Sequence, residues 1–498
     1  MSDTTHSATS HQRLSLRLAL TIIFGVTFWR VIMLVFNRTD LFVDEAQYWF
    51  WGQNLDFGYY SKPPMIAWVI RFFNTISGSD STFWIRVSAP LFHLATALML
   101  MLTTRRLFTE DTGEEIAPWV GVIFITLPAA SLSAVLVSTD TIQILFITIA
   151  IWAFLGLTRR SSVLEALILG ASLGIAFLTK YSVLFLLPGV GIVMLTLRSA
   201  RIAWRDVIIA AIVGAIVVFP NLWWNFAHDA ATVRHTESIA RWNGGGNGGG
   251  LLQHLLGGLG FLGAQFGVVG PVIFYAMLWA AWRMIRGQSD DREKLLFWLS
   301  VPVVLMITLQ ALFAKAYANW AVAAYAAGTI LAVWILYRLT KKGLVVSLII
   351  GAVVAFLLPV LTVLAYDIKL PNGDLVMKRY VGRSAISLEV ADIAAKANLP
   401  DIVSSDRDIL GDLFYTLKGQ AYRIHARNFG GFPKSYYEQN FSLPSNTTAD
   451  VLYVDDAPLD CTVGRAELIK SWSPEFGYKK GKTIYAYRVS PACLAPNP

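Results

Sequence analysis

Apolar stretches of about twenty residues recur along most of this 498-residue chain, and they constrain its fold more than any other feature. A helix needs about 20 apolar residues to cross the hydrocarbon layer of a bilayer. The chain is 55% hydrophobic and only 15% charged, a composition that favours a membrane over a soluble core. The apolar runs predict about eleven membrane-spanning helices, at residues 14–36, 82–104, 117–137, 141–157, 163–179, 182–198, 207–224, 260–282, 295–314, 317–337 and 344–366.

The basic residues predict how these helices are oriented. Every second gap between spans is rich in arginine and lysine, beginning with Arg13 and Arg17 beside the tail 1–13, and such gaps face the cytoplasm. The intervening gaps face outward, and the longest of them are the loops 37–81 and 225–259. The formal net charge is +8, but the basic residues form scattered clusters that indicate topology and not a nucleic-acid surface.

The last part of the chain, residues 367–498, has a different composition. Polar residues occur throughout, and short alternating apolar runs are separated by proline and glycine, which predicts a small mixed α/β soluble domain on the outer side. Cys461 and Cys493 both lie there, and either a disulfide or two free thiols fits the spacing. The glycine-rich segment 244–250 fits either a plain linker or a gating loop.

Two adjacent carboxylates, Asp44 and Glu45, follow the first predicted span. Acidic side chains near the membrane are costly and usually functional. A carboxylate held there can act as a general base that takes the proton from an attacking sugar hydroxyl. The alternative is that Asp44 only caps the start of an interfacial helix.

A lysine in a rigid turn, Lys62 followed by Pro63 and Pro64, lies in the same loop. A fixed cation of this kind suits a phosphate leaving group. Arg30, inside the first span, either reaches the same pocket or extends to the lipid headgroups. Six aromatic residues in the loop fit an interfacial belt, namely Tyr48, Trp49, Phe50, Trp51, Tyr59 and Tyr60.

Polar residues also occupy the short outward turns. Each cluster alone is compatible with a capped turn, but together they place charged and amide groups on one side of the bilayer. We therefore predict one shared site on the outward face. The clusters are Ser138, Thr139 and Asp140; Thr179, Lys180 and Tyr181; and Lys315, Tyr317, Asn319 and Trp320.

The loop that follows the seventh span is rich in tryptophan, asparagine and histidine, which suits sugar and phosphate binding. Trp224, Asn225 and His228 are its candidate contacts. Two histidines with nearby acidic residues lack the close spacing of metal ligands, so no metal site is predicted, although a divalent metal is compatible with the composition. No other cofactor is predicted.

These residues together resemble the GT-C superfamily of glycosyltransferases. The closer resemblance is to family 39, which includes protein O-mannosyltransferases and the bacterial lipid A aminoarabinose and galacturonic acid transferases. The resemblance covers residues 14–366 and rests on the acidic pair, the turn Tyr60-Ser61-Lys62-Pro63-Pro64, the turn Ser138-Thr139-Asp140, Lys180-Tyr181, Trp224-Asn225 with His228, and Asn319-Trp320.

The resemblance implies an inverting transfer from a polyprenyl-phosphate sugar to an envelope glycan or lipid hydroxyl, at the outer face of the bacterial inner membrane. Asp44 would be the base, with Glu45 beside it and Asp140 as a second acidic residue. Lys62, Lys180, Arg30 and Tyr60 would bind the donor phosphate. The remaining candidate substrate contacts are Tyr59, Tyr181, Trp224, Asn225, His228, Asn319 and Trp320.

Two further expectations concern other parts of the molecule. A transporter or flippase is the alternative function, although the halves of the chain look unlike one another and the charges collect at one face. The C-terminal domain is expected either to cover the site and help choose the acceptor or to be a structural cap. The first of these rests on its aromatic residues Tyr415, Tyr422, Phe429, Phe432, Tyr436 and Tyr437.

Overall fold

The computed structural model describes residues 14–108, 110–240 and 250–495, which build a helical bundle followed by a small domain with one sheet. The predicted tail 1–13 and the glycine-rich segment, except Gly250, lie outside the described residues. The helices of the bundle are α1 (Leu16–Val35), α2 (Val43–Gln53), α3 (Met65–Ser77), α4 (Thr82–Arg86), α5 (Ser88–Leu107), α6 (Glu110–Thr126), α7 (Pro128–Leu132), α8 (Thr139–Leu157), α9 (Val163–Thr179), α10 (Leu187–Thr196), α11 (Trp204–Ala227), α12 (Ala231–Ala240), α13 (Leu251–Val268), α14 (Pro271–Ile285), α15 (Asp291–Trp298), α16 (Val301–Phe313), α17 (Tyr325–Leu339) and α18 (Lys341–Val363).

Eight helical segments of the described chain are long and apolar enough to cross a membrane. They confirm a multi-span membrane protein, but they do not confirm the count of eleven. Shorter apolar helices, among them α9 and α14, accompany them. The eight segments are Leu16–Val35, Thr82–Leu107, Thr139–Leu157, Trp204–Ala227, Leu251–Val268, Asp291–Phe313, Ala318–Leu339 and Lys341–Val363.

One predicted span, residues 260–282, is wrong because it runs across two helices. α13 ends at Val268 and α14 begins at Pro271, and between them Gly270 has a φ of 84°. A glycine in this left-handed region followed by a proline ends one helix and starts the next. α12 and the start of α13 also occupy the predicted outward loop 225–259, so much of that loop is helical.

The predicted span 117–137 is likewise interrupted. α6 ends at Thr126, and the short helix α7 starts at Pro128. Proline favours the first turn of a helix and lacks the N–H that would continue the previous one. The chain then reaches α8 through an extended Ser138, which brings the start of α8 to the same end of the bundle as α2.

The core of the bundle is centred on α8 and α17, which are buried on most sides. Apolar residues, chiefly isoleucine, leucine and alanine, fill most positions of α17, and its buried residues include Ala327, Ile330 and Leu331. A helix that is apolar all round is expected to lie inside a larger assembly of helices. α1, α11 and α18 instead expose many of their apolar side chains, as helices in contact with lipid do.

The C-terminal region forms a mixed α/β domain, as predicted. Strands β1, β2 and β3 pair in parallel, and β3, β5 and β4 pair antiparallel, in the order β2-β1-β3-β5-β4. Cys461 and Cys493 are joined in a disulfide beside this sheet. The elements are α19 (Arg383–Ala397), β1 (Asp401–Ser404), α20 (Arg407–Thr416), β2 (Arg423–Ala426), α21 (Tyr436–Phe441), β3 (Val451–Asp455), β4 (Ala466–Trp472) and β5 (Ile484–Val489).

The domain packs on the bundle through aromatic rings and a helix cap. Phe50 of α2 stacks on Phe414 of α20, with ring centroids 4.2 Å apart. The Asp40 carboxylate accepts hydrogen bonds from the Arg383 backbone N–H, 2.8 Å away, and from the Ser384 hydroxyl, 2.7 Å away. A carboxylate at a helix N-terminus satisfies free N–H groups and favours the helix dipole. The two parts of the chain therefore share one interface next to α2.

The break between α13 and α14 gives a stability prediction. Gly270→Ala places a side chain in the left-handed region, which costs about 1–2 kcal/mol. We therefore expect a lower thermal unfolding midpoint of the detergent-purified protein. Gly267→Ala is the matched control, because Gly267 lies in the last turn of α13, with nothing within 4 Å of an added Cβ atom. Equal midpoints for the two variants would contradict this account of the break.

Candidate active site

A cavity of about 450 Å³ lies where α2, the start of α8 and the C-terminal domain meet. Seven of the predicted site residues line it: Asp44, Glu45, Lys62, Asp140, Lys180, Asn319 and Trp320. The structure thus brings together residues that are far apart in the sequence. The other lining residues are Phe42, Val43, Tyr48, Ser61, Leu136, Val137, Ser138, Thr139, His235, Ile239, Tyr317, Arg379 and Arg407.

Asp44 lies in the first turn of α2, where the helix dipole favours a negative charge. Its Oδ1 atom accepts a hydrogen bond from Nη2 of Arg407, 2.5 Å away, and its Oδ2 atom accepts none from the described residues. Burial acts to raise the pKa of Asp44, but Arg407, Lys62 and Arg379 outweigh burial and hold it below its ordinary value. Asp44 is therefore ionised and has one carboxylate oxygen open to the cavity.

Glu45, its neighbour, is fully engaged in a buried ion pair with Arg86. Oε1 accepts from Arg86 Nε at 2.9 Å and Oε2 accepts from Arg86 Nη2 at 2.7 Å. The backbone N–H groups of Phe42 and Val137 donate to the same carboxylate, each at 2.9 Å. Since all these contacts occupy Glu45, it holds the wall of the cavity together and is not a free base.

Asp140 forms a second charged cluster at the start of α8. Lys180 donates to its Oδ1 atom at 2.6 Å, and the Asn319 side-chain amide donates to its Oδ2 atom at 2.7 Å. Lys180 lies between α9 and the following 3-10 helix with an extended backbone. Because both oxygens of Asp140 are occupied, this carboxylate fixes the position of the Lys180 ammonium.

Lys62 is the lysine of the Lys-Pro-Pro turn. Its side-chain ammonium forms no hydrogen bond or ion pair with the described residues. Its carbonyl accepts from the Tyr59 N–H at 3.1 Å, which closes the turn. Burial and the neighbouring Lys180 lower the pKa of Lys62 to about 8, although Asp44 and Asp140 oppose this shift. The cavity therefore holds a cation whose charge is not neutralised by a direct partner.

Four predicted substrate contacts lie outside the cavity wall and bind other parts of the protein. Trp224 donates from Nε1 to Oδ2 of Asp56 at 2.7 Å, and His228 stacks on Trp224 with centroids 4.2 Å apart. The Tyr181 hydroxyl donates to Asn221 at 2.9 Å and accepts from Asn225 at 3.1 Å. The Trp224–Asp56 bond attaches the first loop to α11, and the Tyr181 bonds attach the 3-10 helix Tyr181–Leu186 to α11.

Arg30, Tyr59 and Tyr60 also lie outside the lining of the cavity. Arg30 is fully buried in α1 and donates to the Ile125 carbonyl at 2.7 Å. Tyr59 stacks on Trp51 with centroids 4.6 Å apart. The Tyr60 hydroxyl donates to the carbonyl of Pro433 at 2.8 Å, so it connects the loop to the C-terminal domain.

Three basic side chains of the cavity were not among the predicted site residues: Arg379, Arg407 and His235. Both arginines come from the C-terminal domain, and no local motif marks them. Burial, with Lys62 and Arg407 close by, lowers the pKa of His235 to about 4, so this ring is neutral at physiological pH. His235 occurs in the sequence segment considered for metal binding, but no group of three His, Cys, Asp or Glu side chains in the described chain is arranged to hold a metal ion.

The Glu45–Arg86 pair gives a stability prediction. Arg86→Met leaves a buried carboxylate without its partner, and breaking such a pair costs about 3–5 kcal/mol. We expect a large fall in the thermal unfolding midpoint. The matched control is Arg38→Met, which breaks an exposed 2.8 Å pair with Asp367 that is worth at most about 1 kcal/mol. Restoration of stability in the double variant Glu45→Gln with Arg86→Met would support the assignment; similar small losses in both single variants would refute it.

Comparisons with known proteins bear on the family and the fold of the chain. The family model described as dolichyl-phosphate-mannose-protein mannosyltransferase matches residues 61–224. In solved structures, ArnT from Cupriavidus metallidurans in the apo state matches with a TM-score of 0.58, covering 97% of this chain and 99% of that one. The same protein bound to undecaprenyl phosphate gives a TM-score of 0.60 over 94% and 97% of the two chains. At 14% identity, both matches show a common fold.

A full-length relative extends the comparison to the sequence. Lipid A galacturonosyltransferase RgtD from Rhizobium johnstonii is 55% identical over 483 residues, which cover 97% of this chain and 100% of the relative. The match therefore includes the first loop, the bundle and the C-terminal domain. On this evidence of sequence and fold, the chain belongs to family 39 of the GT-C glycosyltransferases.

Proposed function

We propose that this glycosyltransferase moves galacturonic acid from a polyprenyl phosphate to a hydroxyl group of lipid A, with inversion at the anomeric carbon. The sugar and the acceptor follow the relative that matches along the whole chain. The lipid carrier follows the ArnT structure that binds undecaprenyl phosphate. A transporter is set aside, because the match to a transferase covers 97% of the chain.

One observation carries the mechanism: an open carboxylate oxygen of Asp44 and the unpaired ammonium of Lys62 line the same cavity. An inverting displacement needs one base for the incoming hydroxyl and one stabilised leaving group. Asp44 supplies the base, and Lys62 supplies the cation that stabilises the leaving phosphate. Lys180, oriented by Asp140, adds a second positive charge on the same wall.

The proposed step is a single displacement. The acceptor oxygen forms a bond to the anomeric carbon of the donor while the bond from that carbon to the phosphate oxygen breaks. The electron pair of the breaking bond stays on the polyprenyl phosphate, and the proton of the acceptor hydroxyl passes to Oδ2 of Asp44. The cations stabilise the charge that grows on the phosphate, and fixed charges act more strongly in a site shielded from water.

We assign each part of the chain a place in the envelope. The N-terminus lies in the cytoplasm, the bundle to residue 366 carries catalysis, and residues 367–498 form a periplasmic domain. The distribution of arginine and lysine among the gaps supports this orientation. Arg379 and Arg407 line the cavity, which supports the interpretation that the domain covers the site.

The base assignment predicts the behaviour of Asp44→Asn. The amide keeps the shape of the side chain but accepts no proton, and a general base contributes about 10²–10⁴-fold to a rate. We expect kcat to fall by that factor in an assay that follows galacturonic acid addition to lipid A by mass spectrometry. Asp392→Asn, at an exposed pair with Lys396 on α19, is the control. Normal transfer by correctly folded Asp44→Asn protein would exclude Asp44 as the base.

The assignment of Lys62 to the donor phosphate predicts that kcat/KM depends on pH. Since the pKa of Lys62 is lowered to about 8, its charge is present below that pH and is lost above it. We expect kcat/KM to fall as the pH rises through about 8, because this quantity reports the free enzyme. The lowered pKa of Asp44 places the acid limb below the ordinary range of an aspartate.

The variant Lys62→Arg tests this assignment, because an arginine stays charged throughout this range. Its alkaline limb should move to higher pH, while the acid limb should stay in place. Lys396→Arg, on an exposed face of α19, should leave both limbs unchanged. An alkaline limb that does not move in Lys62→Arg would show that another group titrates there.

A further inference from the structure

The charges of the cavity are not balanced by the protein. Four cations line it, Lys62, Lys180, Arg379 and Arg407, and two of them pair with Asp140 and Asp44. The third lining carboxylate, Glu45, is neutralised by Arg86, which lies behind the wall. Among the described residues, two cations therefore remain without a carboxylate partner, Lys62 and Arg379.

This surplus matches the charge of the proposed donor. A sugar joined to a polyprenyl monophosphate carries one negative charge on its phosphodiester, and a uronic acid adds a second on its carboxylate. A neutral sugar adds none, and an aminosugar adds a positive charge. Fixed opposite charges in a cleft give specificity, because a substrate with the wrong charge leaves one cation unpaired.

The positions of the two cations, Lys62 and Arg379, indicate which part of the donor each of them binds. Lys62 is influenced electrostatically by Lys180, Asp44 and Asp140, so it lies within the charged cluster at the reaction centre. Arg379 is exposed and comes from the 3-10 helix Lys378–Tyr380 of the C-terminal domain. It lines the same cavity as Asp44, but it enters the cavity from the C-terminal domain and not from the first loop.

The Arg379 side chain is held in place without its donors being used. Its guanidinium lies over the ring of Phe42, 4.9 Å from the centroid, and it forms no hydrogen bond with the described residues. The neighbouring Tyr380 packs on the same ring, with centroids 5.5 Å apart, and its carbonyl accepts from the Asp40 N–H at 2.9 Å. The segment is thereby fixed to the residues that precede α2.

We propose that Arg379 forms a carboxylate-binding subsite for the donor sugar and selects a uronic acid over a neutral sugar. A guanidinium presents a fork of N–H donors that fits a carboxylate with two parallel hydrogen bonds. This inference rests on the proposed function, since it names the group that recognises the proposed sugar. Arg379 is a specificity residue in this proposal, while Asp44 and Lys62 act on the reacting atoms.

The test compares two donors, galacturonosyl and galactosyl polyprenyl phosphate, with lipid A as acceptor and the full-length protein in detergent. The measured quantity is the ratio of kcat/KM for the uronosyl donor to kcat/KM for the galactosyl donor. Loss of a hydrogen bond to a charged group corresponds to roughly 10- to 100-fold, so Arg379→Ala should lower this ratio by about that factor. Arg379→Gln, which keeps much of the packing on Phe42, should lower it in the same direction.

The control is Lys378→Ala, which removes a neighbouring cation that is paired with Asp374 at 2.6 Å and does not line the cavity. This variant should leave the ratio unchanged. An unchanged ratio in Arg379→Ala and Arg379→Gln, including an equal loss with both donors, would overturn the subsite and leave the proposed function intact. Wild-type protein that uses the galactosyl donor and not the uronosyl donor would overturn the proposed function and the subsite together.

Discussion

The buried ion pair between Glu45 and Arg86 is the interaction on which the site depends. One carboxylate accepts hydrogen bonds from Arg86, from the N–H of Phe42 before α2 and from the N–H of Val137 before α8. Three segments that are distant in the sequence are therefore joined at one point. Asp44 is the residue next to Glu45, and Asp140 lies at the start of α8, three residues after Val137, so the same contact sets the positions of both acidic residues of the cavity.

Two of the three lining carboxylates thus have a positioning role, and the third is left for chemistry. Glu45 is closed by four donors and Asp140 by Lys180 and Asn319, whereas Asp44 keeps one oxygen open. The acidic residues in the sequence do not by themselves show which of them is positioning and which is free. The partners of each oxygen decide which carboxylate can take a proton, and those partners come from elements that meet only in the folded protein.

The sequence predicts the bundle side of this site well. The Asp-Glu pair, Lys62, and the cluster of Asp140, Lys180 and Asn319 all line the cavity, because short turns at the same end of neighbouring helices must lie close together. The sequence does not predict Arg379 and Arg407, because they reach the cavity through the packing of a separate domain on α2. It also does not separate Trp224, which binds the first loop to α11, and Tyr181, which binds the 3-10 helix after α9 to α11, from true lining residues. The helix break at Gly270 is marked in the sequence by a glycine followed by a proline. The apolar residues on both sides of this pair form one continuous run, which led to the prediction of a single span.

The origin of Arg407 has a consequence for how the protein matures. This guanidinium pairs with Asp44, yet it lies beyond α18 in the chain and is translated after every helix of the bundle. The helices can enter the bilayer while the wall of the cavity is still incomplete. The wall of the cavity beside Asp44 is therefore complete only when the last quarter of the polypeptide has folded against α2.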